Sequence, residues 1–405
     1  MPTERSAKMA LESPQRIEPA LLESVPPALA DALTELASAA AVLGAALHPK
    51  SAASLSSLVQ IMNAYYSNLI EGHNTRPRDI MRALVGDFDA DGGRRNLQME
   101  AAAHVHVQAE VDRFATIDKL PEPASAAFIQ WLHQEFYRDA TDEMLAVRES
   151  NASYRMVPGL WRIDRHEDVV VGRHQPPSSE RVGDFMSYFE ERYRFESLGM
   201  GSRILATAAA HHRFNYIHPF PDGNGRVSRL MSHAMAHRAG IGAHGLWSLS
   251  RGLARGIASR SEYRAMMDSA DAPRDSDVDG RGNLSLRALG DFTLWFLRVC
   301  IDQVRFMTSL FDLNALSSRL QLFVERDPML RIEAGHILQE TFLRGEIERG
   351  EVARITGLST RSGQRILNDL LTRGLLASDT PKGPVSLRFP SDTVDALFPK
   401  LFLDS

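Results

Sequence analysis

The amino-acid sequence predicts a mainly α protein with a helical core, one β-hairpin, and a C-terminal helix-turn-helix unit followed by two short strands. Three observations support this fold class. Apolar residues recur at helical spacing along most of the 405 residues. Before residue 325, only residues 160–172 read as two strand-like runs around a polar turn. Three short helix patterns and two strand-like runs follow residue 325.

Helical patterns occupy most of the chain before that C-terminal unit. Residues 1 to about 25 are polar and contain prolines, so we expect them to be poorly ordered. An alanine-rich helix follows, and apolar residues from Leu55 to Leu69 keep helical spacing until Gly72 ends the pattern. Further helices are predicted at about 95–115, 124–138, 180–196, 202–216 and 284–312.

A twelve-residue run, HPFPDGNGRVSR from His218 to Arg229, gathers the residue types that hold and activate a phosphorylated ligand. The ordinary pKa of a histidine lies near neutrality, so His218 is the candidate general base. Asp222 offers the single carboxylate through which proteins often hold Mg²⁺, whose remaining ligands are water and substrate phosphate. We expect Phe220 to face the core and anchor the run. The run therefore predicts a site for phosphate chemistry.

Glycines and arginines complete this predicted site. The two glycines allow a polyanion to approach backbone N–H groups arranged as a nest. The apolar pattern that follows opens a helix ending near Gly240, and the N-terminus of such a helix favours an anion. Each feature alone has an ordinary structural explanation, but their order and spacing together favour a nucleotide site. The candidate nucleotide contacts in the run are Gly223, Asn224, Gly225, Arg226 and Arg229.

The same run fills every specified position of HxFx(D/E)GNGRxxR and resembles the signature of the Fic family. The resemblance covers roughly residues 55–310 and implies a Fic-type helical core with protein adenylyltransferase activity. In that activity AMP passes from ATP to a Tyr, Thr or Ser hydroxyl of a target protein, or of the enzyme itself, with Mg²⁺ on Asp222. It also implies that Tyr263 lies near the adenine, although aromatic core packing explains this residue equally well. Some family members remove AMP, which leaves de-AMPylation open.

A second pattern lies upstream: Ser67, Glu71 and Gly72 resemble the (S/T)xxxE(G/N) motif of Fic proteins that carry an inhibitory helix, here about residues 54–72. The helix dipole disfavours a carboxylate at a helix C-terminus by about 0.3–1 kcal/mol, so Glu71 would gain from a cationic partner. The resemblance implies that Arg229 is this partner, which would remove its guanidinium from the γ-phosphate of ATP. A solvated glutamate beside a helix-ending glycine is the alternative.

The predicted hairpin over residues 160–172 and the segment that follows it, together about residues 160–176, lie where Fic proteins carry their flap. An exposed hairpin edge can bind an extended target segment through main-chain hydrogen bonds, with little demand on its sequence. The alternative is a hairpin that only covers the core. The candidate target contacts are Trp161, Val169, Val170 and Val171.

The C-terminal unit, residues 325–405, resembles a winged helix-turn-helix. Its third helix would expose Arg361, Arg365 and Arg373, which could meet DNA or a protein partner. Winged helices also serve as dimerisation modules, so a homodimer is open. A DNA-binding transcriptional regulator whose Fic domain senses nucleotide is the alternative function.

Composition and domain size agree with an intracellular enzyme. A formal net charge of -5 gives no basic field over the whole chain for nucleic acid. Cys300 is the only cysteine, so neither an internal disulfide nor a thiolate zinc cluster can form. No secretory leader and no run of about 18 apolar residues is evident, so we expect a cytoplasmic protein without a membrane span. The predicted domains are an N-terminal helical region over 1–95, a catalytic core over 96–315 and the C-terminal unit over 325–405.

Overall fold

The fold is mainly helical, as the sequence predicts. The computed structural model describes residues 12–149 and 152–402, and the α-helices in these ranges agree closely with the predicted ones. They are α1 (Pro27–Ala45), α2 (Pro49–Ile70), α3 (Pro77–Leu84), α4 (Gly92–Thr116), α5 (Ala126–Phe136), α6 (Val182–Tyr193), α7 (Met200–Ile217), α8 (Asn224–Arg238), α9 (Leu249–Arg255), α10 (Glu262–Ala270), α11 (Leu286–Leu310), α12 (Leu313–Arg326), α13 (Glu333–Arg344), α14 (Val352–Thr356), α15 (Thr360–Thr372) and α16 (Val394–Leu397).

Helix α8, which begins inside the motif, lies at the centre of the molecule. It packs against α7, α4 and α5. Its predicted apolar stripe is buried, and Gly240 follows its end with a φ of +77°, the left-handed conformation expected just beyond a helix. Phe220 is fully buried. The residues of the stripe are Val227, Leu230, Met231, Ala234 and Met235.

Part of the N-terminal segment that we expected to be poorly ordered is packed against the core. Ile17 is fully buried within a 3-10 turn, Arg16 donates from Nε to the hydroxyl of Tyr216 over 2.9 Å, and Glu18 pairs with Arg192 at 2.6 Å. The prediction is therefore wrong for residues 12–20. Residues 1–11 lie outside the described ranges.

The predicted hairpin is also misplaced. The antiparallel pair is β1 (Ala146–Glu149) with β2 (Ala152–Arg155), and Val147 lies opposite Tyr154. Residues 160–172 instead contain a 3-10 turn, Arg165–Glu167, closed by the side chains of Asp164 and Glu167. This local capping competes with strand pairing, which leaves only the bridge between Val171 and His174.

Helix α1 is long and apolar enough to cross a membrane by length and composition alone, which the expectation of no membrane span had not anticipated. In the structure α1 packs along α11, and Glu35 pairs with Arg305 at 2.6 Å. This packing is typical of a helix that buries one face against its neighbours. The residues that α1 buries are Leu29, Ala32, Leu36, Ala40 and Leu43.

The C-terminal unit contains the predicted three helices and a two-stranded pair, β3 (Leu376–Ala377) with β4 (Ser386–Leu387). It is not separate from the rest of the fold, because it contacts α2. Ser51 donates from Oγ to the carbonyl of Phe342 over 2.6 Å, and Lys50 forms an ion pair with Glu346. The helix with the predicted inhibitory motif therefore touches the C-terminal unit near its N-terminal end, and again near its C-terminal end, where the hydroxyl of Tyr66 donates to the carbonyl of Leu401 over 3.4 Å.

Candidate active site

His218 lies at the turn between α7 and α8. Its φ of 51° and ψ of 62° place it in the left-handed region, which a residue with a side chain adopts only when its surroundings enforce it. Its backbone N–H donates to the carbonyl of Phe214 over 2.9 Å. Burial lowers the pKa of His218 to about 4, and the positive charge of Arg162 adds to this effect. The imidazole is therefore neutral at pH 7, the form that a general base requires.

Arg162 holds the peptide backbone around His218. Its guanidinium is fully buried and donates to the carbonyls of His218 at 2.7 Å, Pro177 at 2.6 Å and Ile217 at 3.1 Å. Its backbone N–H donates to the carbonyl of Pro219 over 3.0 Å. No sequence motif marks this arginine; only its place in the segment beside Trp161 could have drawn attention to it.

The glycine-flanked turn is shaped by close contacts. Gly223 has a φ of +79°, and a Cβ there would lie 2.8 Å from the ring of Tyr137. Asn224 accepts the backbone N–H of Phe220 at 2.9 Å and donates to its carbonyl at 2.8 Å. The side-chain amide of Asn224 thus fixes the loop, while its direct contact with a nucleotide stays a prediction. The first N–H groups of α8 have no acceptors within the helix, which suits an anion.

Asp222 is exposed at the edge of this turn. Its Oδ2 accepts the hydroxyl of Tyr137 at 3.2 Å, and its carbonyl accepts Nε2 of His133 at 3.2 Å. The N–H of Gly159 donates to Nδ1 of His133 at 2.8 Å, which fixes the tautomer, and burial lowers the pKa of His133 to about 4. An accessible carboxylate held beside an anion-binding turn fits a Mg²⁺ ligand that shares the ion with substrate phosphate.

The structure changes the interpretation of Arg226. Its guanidinium is buried, pairs with Glu100 at 2.8 Å and lies 5.6 Å from the ring centre of Phe136. Nη1 also donates to the hydroxyl of Tyr137 at 3.4 Å. The expectation that both arginines of the motif face one ligand is therefore only partly met, because Arg226 already has an anionic partner on α4. Its phosphate contact stays a prediction.

Arg229 meets both polar residues of the upstream motif. Its Nη2 donates to Oε1 of Glu71 at 2.6 Å, and its Nε donates to Oγ of Ser67 at 2.9 Å. Glu71 is the C-cap of α2, and Gly72 follows in the left-handed conformation with a φ of +86°. The predicted Glu71–Arg229 pair is thus present in the structure.

Glu71 also covers the glycine turn. A Cβ on Gly225 would overlap Oε1 of Glu71, so the carboxylate lies directly over the backbone that is predicted to bind phosphate. Burial raises the pKa of Glu71, but attraction to Arg229 and Arg226 outweighs burial and leaves the pKa below its ordinary value. The carboxylate is therefore ionised at neutral pH and occupies the place of an anion.

Tyr263 lies on α10 near Arg229. Its hydroxyl is 2.8 Å from Nε2 of His211, and its ring stacks on Trp295 at 6.3 Å between centres. Burial raises the pKa of Tyr263 to about 12. These contacts agree with core packing, and its place near the adenine stays a prediction.

The predicted flap residues divide into two groups. Trp161 packs against Phe220, with ring centres 4.6 Å apart, and therefore supports the motif. Val169 is half-buried, whereas Val170 and Val171 are exposed on a segment that is not a hairpin strand. Contact of these valines with a target stays a prediction.

The three candidate arginines of the C-terminal unit also differ in their surroundings. Arg361 and Arg365 are exposed on α15. Arg373 lies just beyond the helix as its C-cap and pairs with Asp327. Arg373 is exposed, as expected, but its charge is already paired within the chain, and the contact of all three arginines with DNA or a partner stays a prediction.

Comparisons with known proteins agree with this geometry. The Fic/DOC family matches residues 123–236. "Protein adenylyltransferase Fic" of Aedes aegypti is 37% identical over 76 residues, which are 19% of this chain and 15% of that protein. The protein of the same name from Nematostella vectensis is 27% identical over 179 residues, 44% of this chain and 37% of that protein. The chain thus matches well under half the length of these curated relatives.

A solved structure extends the likeness to the whole fold. The crystal structure of a Fic family protein from Desulfovibrio desulfuricans G20 matches 92% of this chain and 99% of its own, with a TM-score of 0.52 and 16% identity. At this identity the match concerns the fold alone. The chain thus contains a segment, residues 123–236, that is similar to the Fic/DOC family, within a fold similar to that of a Fic family protein.

Proposed function

We propose that this chain is a protein adenylyltransferase that transfers AMP from ATP to a hydroxyl group of a protein and is inhibited by its own helix α2. The observation that carries the proposal is the turn that places a neutral, half-buried His218 beside the glycine turn at the start of α8, with Arg229 on the first turns of that helix. The names of the relatives support the same reaction.

In the proposed reaction, His218 takes the proton of a Tyr, Thr or Ser hydroxyl. The freed oxygen attacks the α-phosphorus of ATP, a new oxygen–phosphorus bond forms, and the bond to the departing pyrophosphate breaks. His218 later releases the proton to solvent or product. Backbone N–H groups at the start of α8 stabilise the charge on the phosphates. When bound at Asp222, Mg²⁺ would supply further neutralisation of the polyphosphate.

The proposed inhibition follows from the position of the Glu71 carboxylate. Its carboxylate lies over Gly225 and pairs with Arg229, so the turn and the guanidinium are both engaged by a negative group of the chain itself. The γ-phosphate of ATP would have to displace this carboxylate to reach Arg229. Glu71 would also be in position to orient a water in de-AMPylation, which we propose as a second activity of the same site.

The test is transfer of label from α-labelled ATP to protein, with wild type, Glu71→Gly, and Glu71→Gly combined with His218→Ala. We expect low transfer by wild type, strong transfer by Glu71→Gly, and a loss of roughly 10²- to 10⁴-fold when the base is removed. Equal transfer by wild type and Glu71→Gly would remove the inhibitory role. Undiminished transfer by the variant that lacks His218 would show that His218 is not the general base.

The alternative, a DNA-binding regulator, is favoured by one observation, the two exposed arginines Arg361 and Arg365 on α15. Their replacement by alanine should weaken any binding to duplex DNA and flatten its dependence on salt. Salt-dependent gel shifts measure this directly. An unchanged shift in the double variant would argue that α15 contacts no DNA.

A further inference from the structure

Three metal-binding side chains meet at the far end of α8 from the motif. Nε2 of His233 lies 2.6 Å from Oδ1 of Asp112, and Nε2 of His237 lies 2.8 Å from the same oxygen. The two Nε2 atoms are 3.2 Å apart. His233 and His237 are one helical turn apart on α8, and Asp112 comes from α4. One oxygen and two nitrogens therefore converge on a single point.

We propose that Asp112, His233 and His237 form a binding site for a divalent transition-metal ion of the zinc class. Two imidazoles and one carboxylate are ligands that Zn²⁺ accepts, at bonds of about 2.0–2.2 Å. In a tetrahedral site with such bonds, neighbouring ligand atoms are about 3.3 Å apart. The two histidine nitrogens already have this separation. The carboxylate oxygen would move outward by roughly half an ångström to match.

The site is shielded but can be reached. The side chains of Asp112, His233 and His237 are 12%, 10% and 9% exposed. Asp112 and His237 line a surface cavity of about 680 Å³, which leaves room for a water molecule as fourth ligand. Other residues lining this cavity are Thr116, Asp118, Arg238, Gly242 and His244.

A strained loop wraps the cluster. Ala243, His244 and Gly245 have φ values of 44°, 56° and 73°, three consecutive left-handed residues of which two carry side chains. A Cβ on Gly245 would lie 3.2 Å from both carboxylate oxygens of Asp112. Strain of this kind persists where the surroundings enforce it and often marks a functional position.

A hydrogen bond from a third helix orients the carboxylate. Gln60, on α2, donates from Nε2 to Oδ2 of Asp112 at 2.9 Å, which leaves Oδ1 to face the two histidines. Such partners of a ligand typically contribute 10- to 100-fold to metal affinity. An ion at this point would therefore join α2, α4 and α8, the three helices that carry Glu71, Glu100 and Arg229.

The experiment is titration of the metal-depleted full-length chain with Co²⁺, followed by Zn²⁺. We expect one Co²⁺ per chain with the strong visible absorption of a tetrahedral site, its displacement by Zn²⁺, and a melting temperature that rises with Zn²⁺ concentration. His233→Ala and His237→Ala should each weaken binding more than about 100-fold, and Gln60→Ala about 10- to 100-fold. His106→Ala, an exposed histidine on α4, is the matched control and should bind as wild type.

Anomalous diffraction at the zinc edge from wild-type crystals provides a second measurement that needs no variant to fold. A peak between the three side chains is expected. Failure of the wild type to take up either metal, uptake by both histidine variants as tight as that of the wild type, or a peak at Asp222 alone would overturn the proposal. The three side chains would then form only a hydrogen-bonded cluster.

Discussion

Oε1 of Glu71 lies 2.6 Å from Nη2 of Arg229. The two side chains of this ion pair differ in exposure, since the side chain of Arg229 is 1% exposed and that of Glu71 is 33% exposed. The arginine is held from its other side by Ser67, whose hydroxyl accepts Nε. Arg229 is therefore held in the interior of the protein, whereas Glu71 is accessible enough for another anion to displace its carboxylate.

This asymmetry predicts graded release of the proposed inhibition. Ser67→Ala removes a hydrogen bond to a charged group, which contributes about 1.5–3 kcal/mol. We expect it to raise AMP transfer roughly 10-fold, less than Glu71→Gly does. Transfer of label from α-labelled ATP measures both variants. Ser57→Ala, on an exposed position of the same helix, is the control and should leave transfer at the wild-type level.

The pH dependence of the proposed transfer by Glu71→Gly follows from His218. Because its pKa is lowered to about 4, the base form is present above that pH, and kcat/KM of Glu71→Gly should stay flat from about pH 8 to pH 5 and fall only near pH 4. A descending limb centred near pH 6.5 would contradict a half-buried imidazole whose pKa is lowered to about 4. The wild type should stay inhibited from pH 8 to 5, because the lowered pKa of Glu71 keeps its carboxylate ionised there.

Gly223 should tolerate no side chain. Gly223→Ala combines a left-handed backbone, which costs about 1–2 kcal/mol, with collision against Tyr137. Gly240→Ala is the matched control, because Gly240 has a φ of +77° and open space around its Cα. We expect urea unfolding to show about 1–2 kcal/mol lost in the control and a larger loss in Gly223→Ala. Equal losses would show that Tyr137 moves aside freely.

Arg162 is a positioning residue. Arg162→Met would leave the carbonyls of His218, Pro177 and Ile217 without this donor, at about 1–3 kcal/mol for each group that stays buried. We expect a lower melting temperature and lower transfer in the Glu71→Gly background. Arg162→Lys should recover part of the transfer. Arg165→Met, on the same segment with a side chain that is 79% exposed, should leave stability within about 0.5 kcal/mol.

The features that the sequence predicted correctly are those that depend on local patterns of residues. The helices follow from apolar spacing, and the Glu71–Arg229 pair follows from two motifs whose residue types and order are specific. The pairing of Arg226 with Glu100 could not be predicted, because 126 positions separate the two residues and neither has a local signal for the other. The sequence could identify the arginine but not its partner.

The misplaced hairpin has a similar cause. Residues 146–155 lack strong alternation, yet they pair as strands, whereas the valine-rich run from Val169 to Val171 has no neighbouring strand to join. Strand preference depends on which backbone lies alongside, so β-branched residues alone are weak evidence. Arg162 binds the first part of the predicted hairpin to the turn at His218 instead.

Helix α2 touches the C-terminal unit through Ser51 near its start and through Tyr66 near its end, where Glu71 also pairs with Arg229. A helix of 22 residues is a stiff rod about 33 Å long. A signal that tilts the rod from the C-terminal side would therefore move Glu71 at the catalytic side. By thermodynamic reciprocity, ATP that displaces Glu71 would change the affinity of the C-terminal unit for that signal by the same factor.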